Sequence, residues 1–195
     1  LIIPRLILFS LLLVQASLAS DIEMINFDSM SASFVQTSYQ KDIRNNISKG
    51  YLVVKRPHQM LWHIEEPTER VIIFERGLIS IYDPDLNQVI KTNIDQYKDA
   101  NWLRILMGES EINESHQQNI EDFYSYKLIK FHPLNNDPLG NMITIKIKEE
   151  LIDTIEIMQS ENERIQIKLE DIEINMNMND GFFVDLIPDD AEVME

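Results

Sequence analysis

The chain has 195 residues, 44% of them hydrophobic, with five glycines and seven prolines. That suffices for one ordinary domain with a sizeable core, and it excludes global disorder and collagen-like or linker-like character. A formal charge of −16 without a basic stripe disfavours nucleic-acid binding and strong attraction to anionic headgroups, and the lack of cysteine excludes disulfides, thiolate catalysis and zinc–sulfur sites.

Residues 1–19 read LIIPRLILFSLLLVQASLA. One cation, Arg5, precedes an apolar run, and Ser17 and Ala19 occupy the −3 and −1 places of a small-x-small cleavage pattern. This is the layout of a secretory signal peptide, and the run is short for a bilayer span. Its removal takes away one cation and no acid, so the charge of −16 becomes −17. Residues 20–195 are expected to form one domain. With no cysteine to follow the signal, a lipid-anchored lipoprotein is not expected.

Residues 21–32 place Ile22, Ile25 and Met30 near helical spacing, with Asp21 as the N-cap, and predict a helix. Short strands follow over 51–56, 60–65, 70–74, 78–82 and 87–92. Turn chemistry separates them at Pro57, Pro67, Gly77 and Asp83-Pro84-Asp85. Residues 95–108 carry Trp102, Leu103, Ile105, Leu106 and Met107 before a glycine stop, and predict a second helix. A helical turn is expected over 114–120. Beyond residue 120 the period is two. Ile143, Ile145 and Ile147 alternate with polar residues, as do Ile165, Ile167 and Leu169, and then Ile172, Ile174, Met176 and Met178. The phase break at Glu170–Asp171 marks a turn or a bulge. The expectation is about eleven strands in one large antiparallel sheet or barrel, with two or three helices. Helices over an apolar sheet face make either a filled core or a lidded cavity for an apolar ligand, and periodicity does not separate the two.

Gly50-Tyr-Leu-Val-Val-Lys-Arg-Pro57, followed by Met60-Leu61-Trp62, is the most informative stretch. If Leu52, Val54 and Arg56 share a strand face, a cation ends an apolar row. A guanidinium there is costly unless its donors find acceptors, and the alternative is that Arg56 turns outward to solvent. The histidines, His58, His63, His116 and His132, form no H-E-x-x-H pattern and read as turn or solvated residues. Asp83-Pro84-Asp85 reads as a turn rather than a carboxylate pair, and Asp189, Asp190 and Glu192 read as a solvated acidic tail. No G-x-S-x-G, P-loop or paired Gly-rich fingerprint is found. No catalytic residue, metal site or cofactor is therefore expected.

In order and spacing the chain resembles the LolA family. Ala32-Ser33-Phe34-Val35-Gln36 is similar to that family's A-S-F-T-Q step. The Gly50 strand ends in Lys55-Arg56-Pro57, and Trp62 follows at the family spacing. Then come Glu66-Pro67, Tyr82-Asp83-Pro84, the apolar stretch from Trp102 to Gly108, and the close on Gly181-Phe182-Phe183 and Ile187-Pro188. Met60 departs from the phenylalanine of a common family member. The resemblance implies an incomplete antiparallel β-barrel under a helical lid, whose cavity holds the acyl chains of a lipoprotein. It implies that Arg56 bonds backbone carbonyls of the lid and latches the empty carrier. Phe34, Leu52, Val54, Pro57, Met60, Trp62, Ile143, Ile145 and Ile147 would line the cavity, and Leu103, Ile105, Leu106 and Met107 the underside of the lid. The implied protein is a periplasmic, monomeric, non-enzymatic chaperone. Its cargo would be acylated lipoproteins, its donor the inner-membrane LolCDE transporter, and its acceptor an outer-membrane LolB-type receptor. A LolB-like acceptor, a lipid-sensing regulatory domain and an enzyme on the same fold are the competing readings.

Overall fold

The computed structural model describes residues 26–94, 101–108, 115–134, 141–179, 181–183 and 186–194. The expected signal segment, the first residues of the expected N-terminal helix and residues 95–100 of the second helix lie outside them. The described elements are twelve strands and one helix. In chain order the strands are β1 Ser29–Gln40, β2 Ile43–Lys55, β3 Gln59–Glu66, β4 Arg70–Glu75, β5 Leu78–Asp83 and β6 Gln88–Asn93. The helix α1, Asn101–Met107, follows. Then come β7 His116–Asp122, β8 Lys127–Pro133, β9 Met142–Lys148, β10 Leu151–Ser160, β11 Glu163–Ile174 and β12 Glu192–Met194.

All twelve strands join one sheet in the order β12-β6-β5-β4-β3-β2-β1-β11-β10-β9-β8-β7. Neighbours in the sheet are neighbours in sequence except where β1 pairs with β11 and β12 with β6. Only the β12–β6 pair is parallel. The edge strands β12 and β7 do not pair with each other, so the sheet is an open, incomplete barrel. No helix of the described residues is long and apolar enough to cross a membrane.

Period-two patterning places the side chains. Ile143, Ile145 and Ile147 of β9 are buried while their neighbours are partly or fully exposed. Ile155 and Ile157 of β10 and Ile167 and Leu169 of β11 continue that inner row. The paired registers Leu52–Trp62, Val54–Met60, Trp62–Ile72 and Phe74–Ile79 carry it across β2 to β5. The alternate residues Val53, Leu61, Val71, Ile73, Tyr82 and Val89 form a second cluster on the outer face. Phe183, Met178, Leu186, Ile187 and Ala191 of the C-terminal segment cover it. Gly50 is buried at a bulge in the β2–β3 pair, and a methyl group there would collide with the backbone carbonyl of His63. Glycine permits that close approach.

Several sequence expectations are corrected. Residues 29–32 open β1 rather than close a helix, because Met30 and Ala32 alternate with Ser31 and Ser33, Met30 pairs with both β2 and β11, and Ala32 pairs with Leu52 of β2. Residues 116–120 form an edge strand paired with β8, not a helical turn. The break at Glu170–Asp171 is a bulge inside one strand, where Asp171 takes a left-handed φ of 51°. β11 ends at Ile174, so Met176 and Met178 do not continue the ladder. His116 is buried, with ring nitrogens bonded to Ser115 Oγ at 2.8 Å and Asn141 O at 3.2 Å, and is not a solvated histidine. The acidic tail is exposed but not free: Glu192 opens β12, and its backbone N–H donates to Asn87 O at 2.9 Å.

Candidate functional site

β2 ends at Lys55, and Arg56 stands in the turn that follows rather than on the strand. The turn is fixed on both sides. Arg56 N donates to Asp28 O at 2.8 Å, and Arg76 N donates to His58 O at 3.0 Å. The Arg56 side chain reaches the C-terminal end of α1. Its Nε donates to Leu106 O at 2.9 Å and its Nη2 to Ile105 O at 3.4 Å.

Two physical needs meet in this contact. The last carbonyls of a helix lack intrahelical donors and carry the negative end of the helix dipole, so a cation is favourable there. A guanidinium offers planar, directed donors and binds neighbouring carbonyls where an ammonium would meet them as a point charge. Phe27 adds a third partner, its ring centroid 3.9 Å from Cζ of Arg56. Burial pulls the Arg56 pKa down to about 10, and the nearby Asp28 carboxylate opposes that shift. The group is therefore still charged at neutral pH.

α1 is seated deeply. Leu103, Ile105, Leu106 and Met107 are all buried, and they belong to one contiguous cluster with the inner face of the sheet. Trp102 packs against the same cluster. Its ring meets Trp62 edge to face at 5.1 Å, and Trp62 in turn stacks on Phe34 at 3.9 Å. An aromatic column thus runs from β1 through β3 to the helix.

The structure brings most of the expected residues together. Phe34 of β1, Leu52 and Val54 of β2, Met60 and Trp62 of β3, and Ile143, Ile145 and Ile147 of β9 lie in the cluster that α1 covers. Pro57 does not join them, because it is exposed in the turn. Sequence reasoning missed Phe27, Trp102 and Gly108. Trp102 had a signal, since it stands in the apolar stretch of the helix. Phe27 and Gly108 had none, because their role depends on where Arg56 reaches. A separate open groove of about 470 Å³ lies between the β7–β8 and β9–β10 turns and shares only Ile147 with the expected set.

A buried apolar sheet face under a short apolar helix, with a guanidinium bonded to the helix end, is an arrangement suited to an apolar ligand. Comparison with known proteins agrees with that architecture. An outer-membrane lipoprotein carrier protein of Pseudomonas putida (strain GB-1) is 24% identical over 171 residues, covering 87% of this chain and 80% of its own length. The protein of the same name from Idiomarina loihiensis is 28% identical over 168 residues, covering 85% and 80%. Among solved structures, an uncharacterized conserved protein from Thermus thermophilus shares the fold with a TM-score of 0.55 and 8% identity, covering 89% of this chain and 93% of its own. The family model described as outer membrane lipoprotein carrier protein LolA matches residues 26–184, and this chain belongs to that family.

Proposed function

We propose that the chain is a periplasmic lipoprotein carrier. It takes up lipoproteins released by an inner-membrane LolCDE-type transporter, shields their acyl chains under α1, and delivers them to an outer-membrane LolB-type acceptor. The observation that carries this reading is the apolar inner face, covered by a short apolar helix whose C-terminal end is held by Arg56.

Magnitudes show why such an arrangement can load and unload. Burying a large apolar side chain stabilises by about 1.5–3 kcal/mol, so the four buried residues of α1 contribute roughly 6–12 kcal/mol to its seating. An acyl chain of about sixteen carbons gains roughly 0.8 kcal/mol per buried methylene, or about 13 kcal/mol. The two apolar occupants of the inner face are comparable. Exchange between helix and acyl chain is then nearly balanced, and a term of a few kcal/mol decides its direction.

Arg56 supplies that term. Its bonds to Ile105 and Leu106 exist only while the helix is seated, so they favour the empty, closed carrier. Loading breaks them and raises the free energy of the loaded state, which makes transfer to a firmer acceptor downhill. Phe34, Leu52, Val54, Met60, Trp62, Ile143, Ile145 and Ile147 provide the apolar surface. No covalent step is required.

The test uses the purified, folded mature chain with inner-membrane vesicles that hold labelled lipoproteins and an energised transporter. Soluble complexes of chain and lipoprotein, passed on to vesicles carrying the acceptor, are expected. Retention of all lipoprotein in the membrane pellet, with folding verified, would overturn the proposal. The Arg56→Leu variant should still take up lipoprotein but pass it on roughly thirtyfold less, a loss of about 2 kcal/mol of driving force.

A further inference from the structure

The Arg56 contact is built by more than the arginine and the helix carbonyls. Gly108 follows α1 directly and holds a left-handed φ of 75°. A methyl group on its Cα would stand 3.0 Å from Nε, 3.1 Å from Cδ and 3.3 Å from Cζ of Arg56. Those distances are tighter than ordinary contact, so the side chain would have to yield by a few tenths of an ångström. The turn that carries Arg56 is pinned by the Asp28 and His58 carbonyls, so the backbone cannot follow. The Gly108 N–H also donates to Ile105 O at 3.1 Å, the same carbonyl that Arg56 Nη2 approaches. Phe27, itself buried, places its ring 3.9 Å from Cζ.

We infer that Phe27 and Gly108 are positioning residues of the latch: the Phe27 ring seats the guanidinium, and the bare Cα of Gly108 leaves the space it needs to reach the helix carbonyls. The inference rests on the carrier reading only for its purpose, because the device is intramolecular and can be tested without cargo. It predicts that the strength of lid closure is set at three positions, two of which do not bond to the helix through side chains. It also gives the glycine at the helix end a task beyond ending the helix. Helix termination needs a residue that tolerates positive φ, which asparagine also does. Room for a guanidinium needs the absence of Cβ.

The chain offers its own reporter and its own control. Its two tryptophans, Trp62 on the sheet and Trp102 on α1, meet edge to face at 5.1 Å, so the coupling of their indoles in circular dichroism reads helix seating directly. Gly77 also holds a left-handed φ, 85°, but a methyl group there meets nothing within 4 Å. Gly77→Ala therefore carries the backbone cost of an alanine at positive φ without the collision.

The experiment measures the indole coupling and the exchange of α1 amides in the purified chain. Gly108→Ala is expected to raise the open fraction of α1 about three- to tenfold, and Gly77→Ala to leave it unchanged. Phe27→Leu should open it severalfold, and Phe27→Tyr, which keeps the ring, should not. In an Arg56→Leu background the effects of Gly108→Ala and Phe27→Leu should largely vanish, because no guanidinium remains to be seated. If Gly108→Ala opens α1 equally with and without Arg56, Gly108 is only a helix terminator and the inference is overturned. If Phe27→Leu behaves the same way, Phe27 is only core. Either outcome leaves the lipoprotein-release assay to decide carriage separately.

Discussion

The sheet is apolar on both faces, and each face is covered differently. On the outer face the C-terminal segment lays Phe183, Leu186 and Ile187 over Val53, Leu61 and Tyr82. That cover is tied by backbone pairing along β12–β6 and by Asn87 and Gln88, whose side chains donate to Asp190 and Glu192. On the inner face the described cover is one seven-residue helix that pairs with no strand. It is held by apolar contact and by Arg56 at its end. A ladder-paired cover moves only if the sheet is disrupted. A helix shares no ladder bonds with the sheet and its end groups can turn to water, so it can leave the inner face without breaking a strand pairing. Under the carrier proposal, the first cover is structural and the second is the replaceable one.

The largest effect expected is on the outer cover. Phe183→Ala removes a buried aromatic and should lower global stability by about 3 kcal/mol, read as a lower thermal midpoint. Uptake of a fluorescent apolar probe by the inner face should not change. A probe response as large as that of an inner-face variant would erase the distinction between the covers.

Arg56→Leu is the matching change on the inner face. Loss of the two hydrogen bonds should favour the open helix by about 2 kcal/mol, roughly thirtyfold in the opening equilibrium. Global stability should move by less than about 1 kcal/mol, because a leucine avoids the cost of desolvating a guanidinium. Chemical denaturation and probe uptake should therefore separate cleanly for this variant.

The pH response is smaller and has a definite sign. Arg56 titrates at about 10 in the folded chain, below the ordinary arginine value. Between those two values the unfolded chain binds more protons, so this group's contribution to stability rises with pH across that window. The latch loses its charge in the same window. Helix opening attributable to Arg56 should be flat from about pH 6 to 9 and fall above about 10, because the closed state holds the lower pKa, and amide exchange can follow it.

Salt should matter least. Among the described residues the Arg56 side chain donates to neutral carbonyls, with the Asp28 carboxylate nearby, and the contact is partly buried. Raising ionic strength should shift opening by less than about 0.5 kcal/mol, while exposed pairs such as Lys49–Glu66 are screened. A strong salt dependence of opening would point to a carboxylate partner instead.

Much of the fold was legible because alternation is a local signal. Ile143, Ile145 and Ile147 announce one buried face regardless of what covers it. The errors fell where local signals were ambiguous or weak. Ile22, Ile25 and Met30 fit a helical spacing, yet Met30 is held in β1 by its pairing with Val54 and Ile174. The stretch His116 to Ile120 is mostly polar, and only its pairing with β8 makes it a strand. In the candidate site, the apolar row of Leu52 and Val54 and the helix from Leu103 to Met107 could be read from sequence. The environment of Arg56 could not. Phe27, Leu106 and Gly108 meet the guanidinium from segments far apart in the chain, and no spacing rule encodes that meeting.

The central claim is that α1 and an acyl chain compete for the inner face while the outer cover stays in place. Amide exchange of the folded chain with and without a synthetic acylated lipopeptide tests it most directly. The account predicts that loading strips protection from α1, as Arg56→Leu does, and leaves β6 and its neighbours protected. Lipopeptide binding with α1 protection unchanged would contradict it.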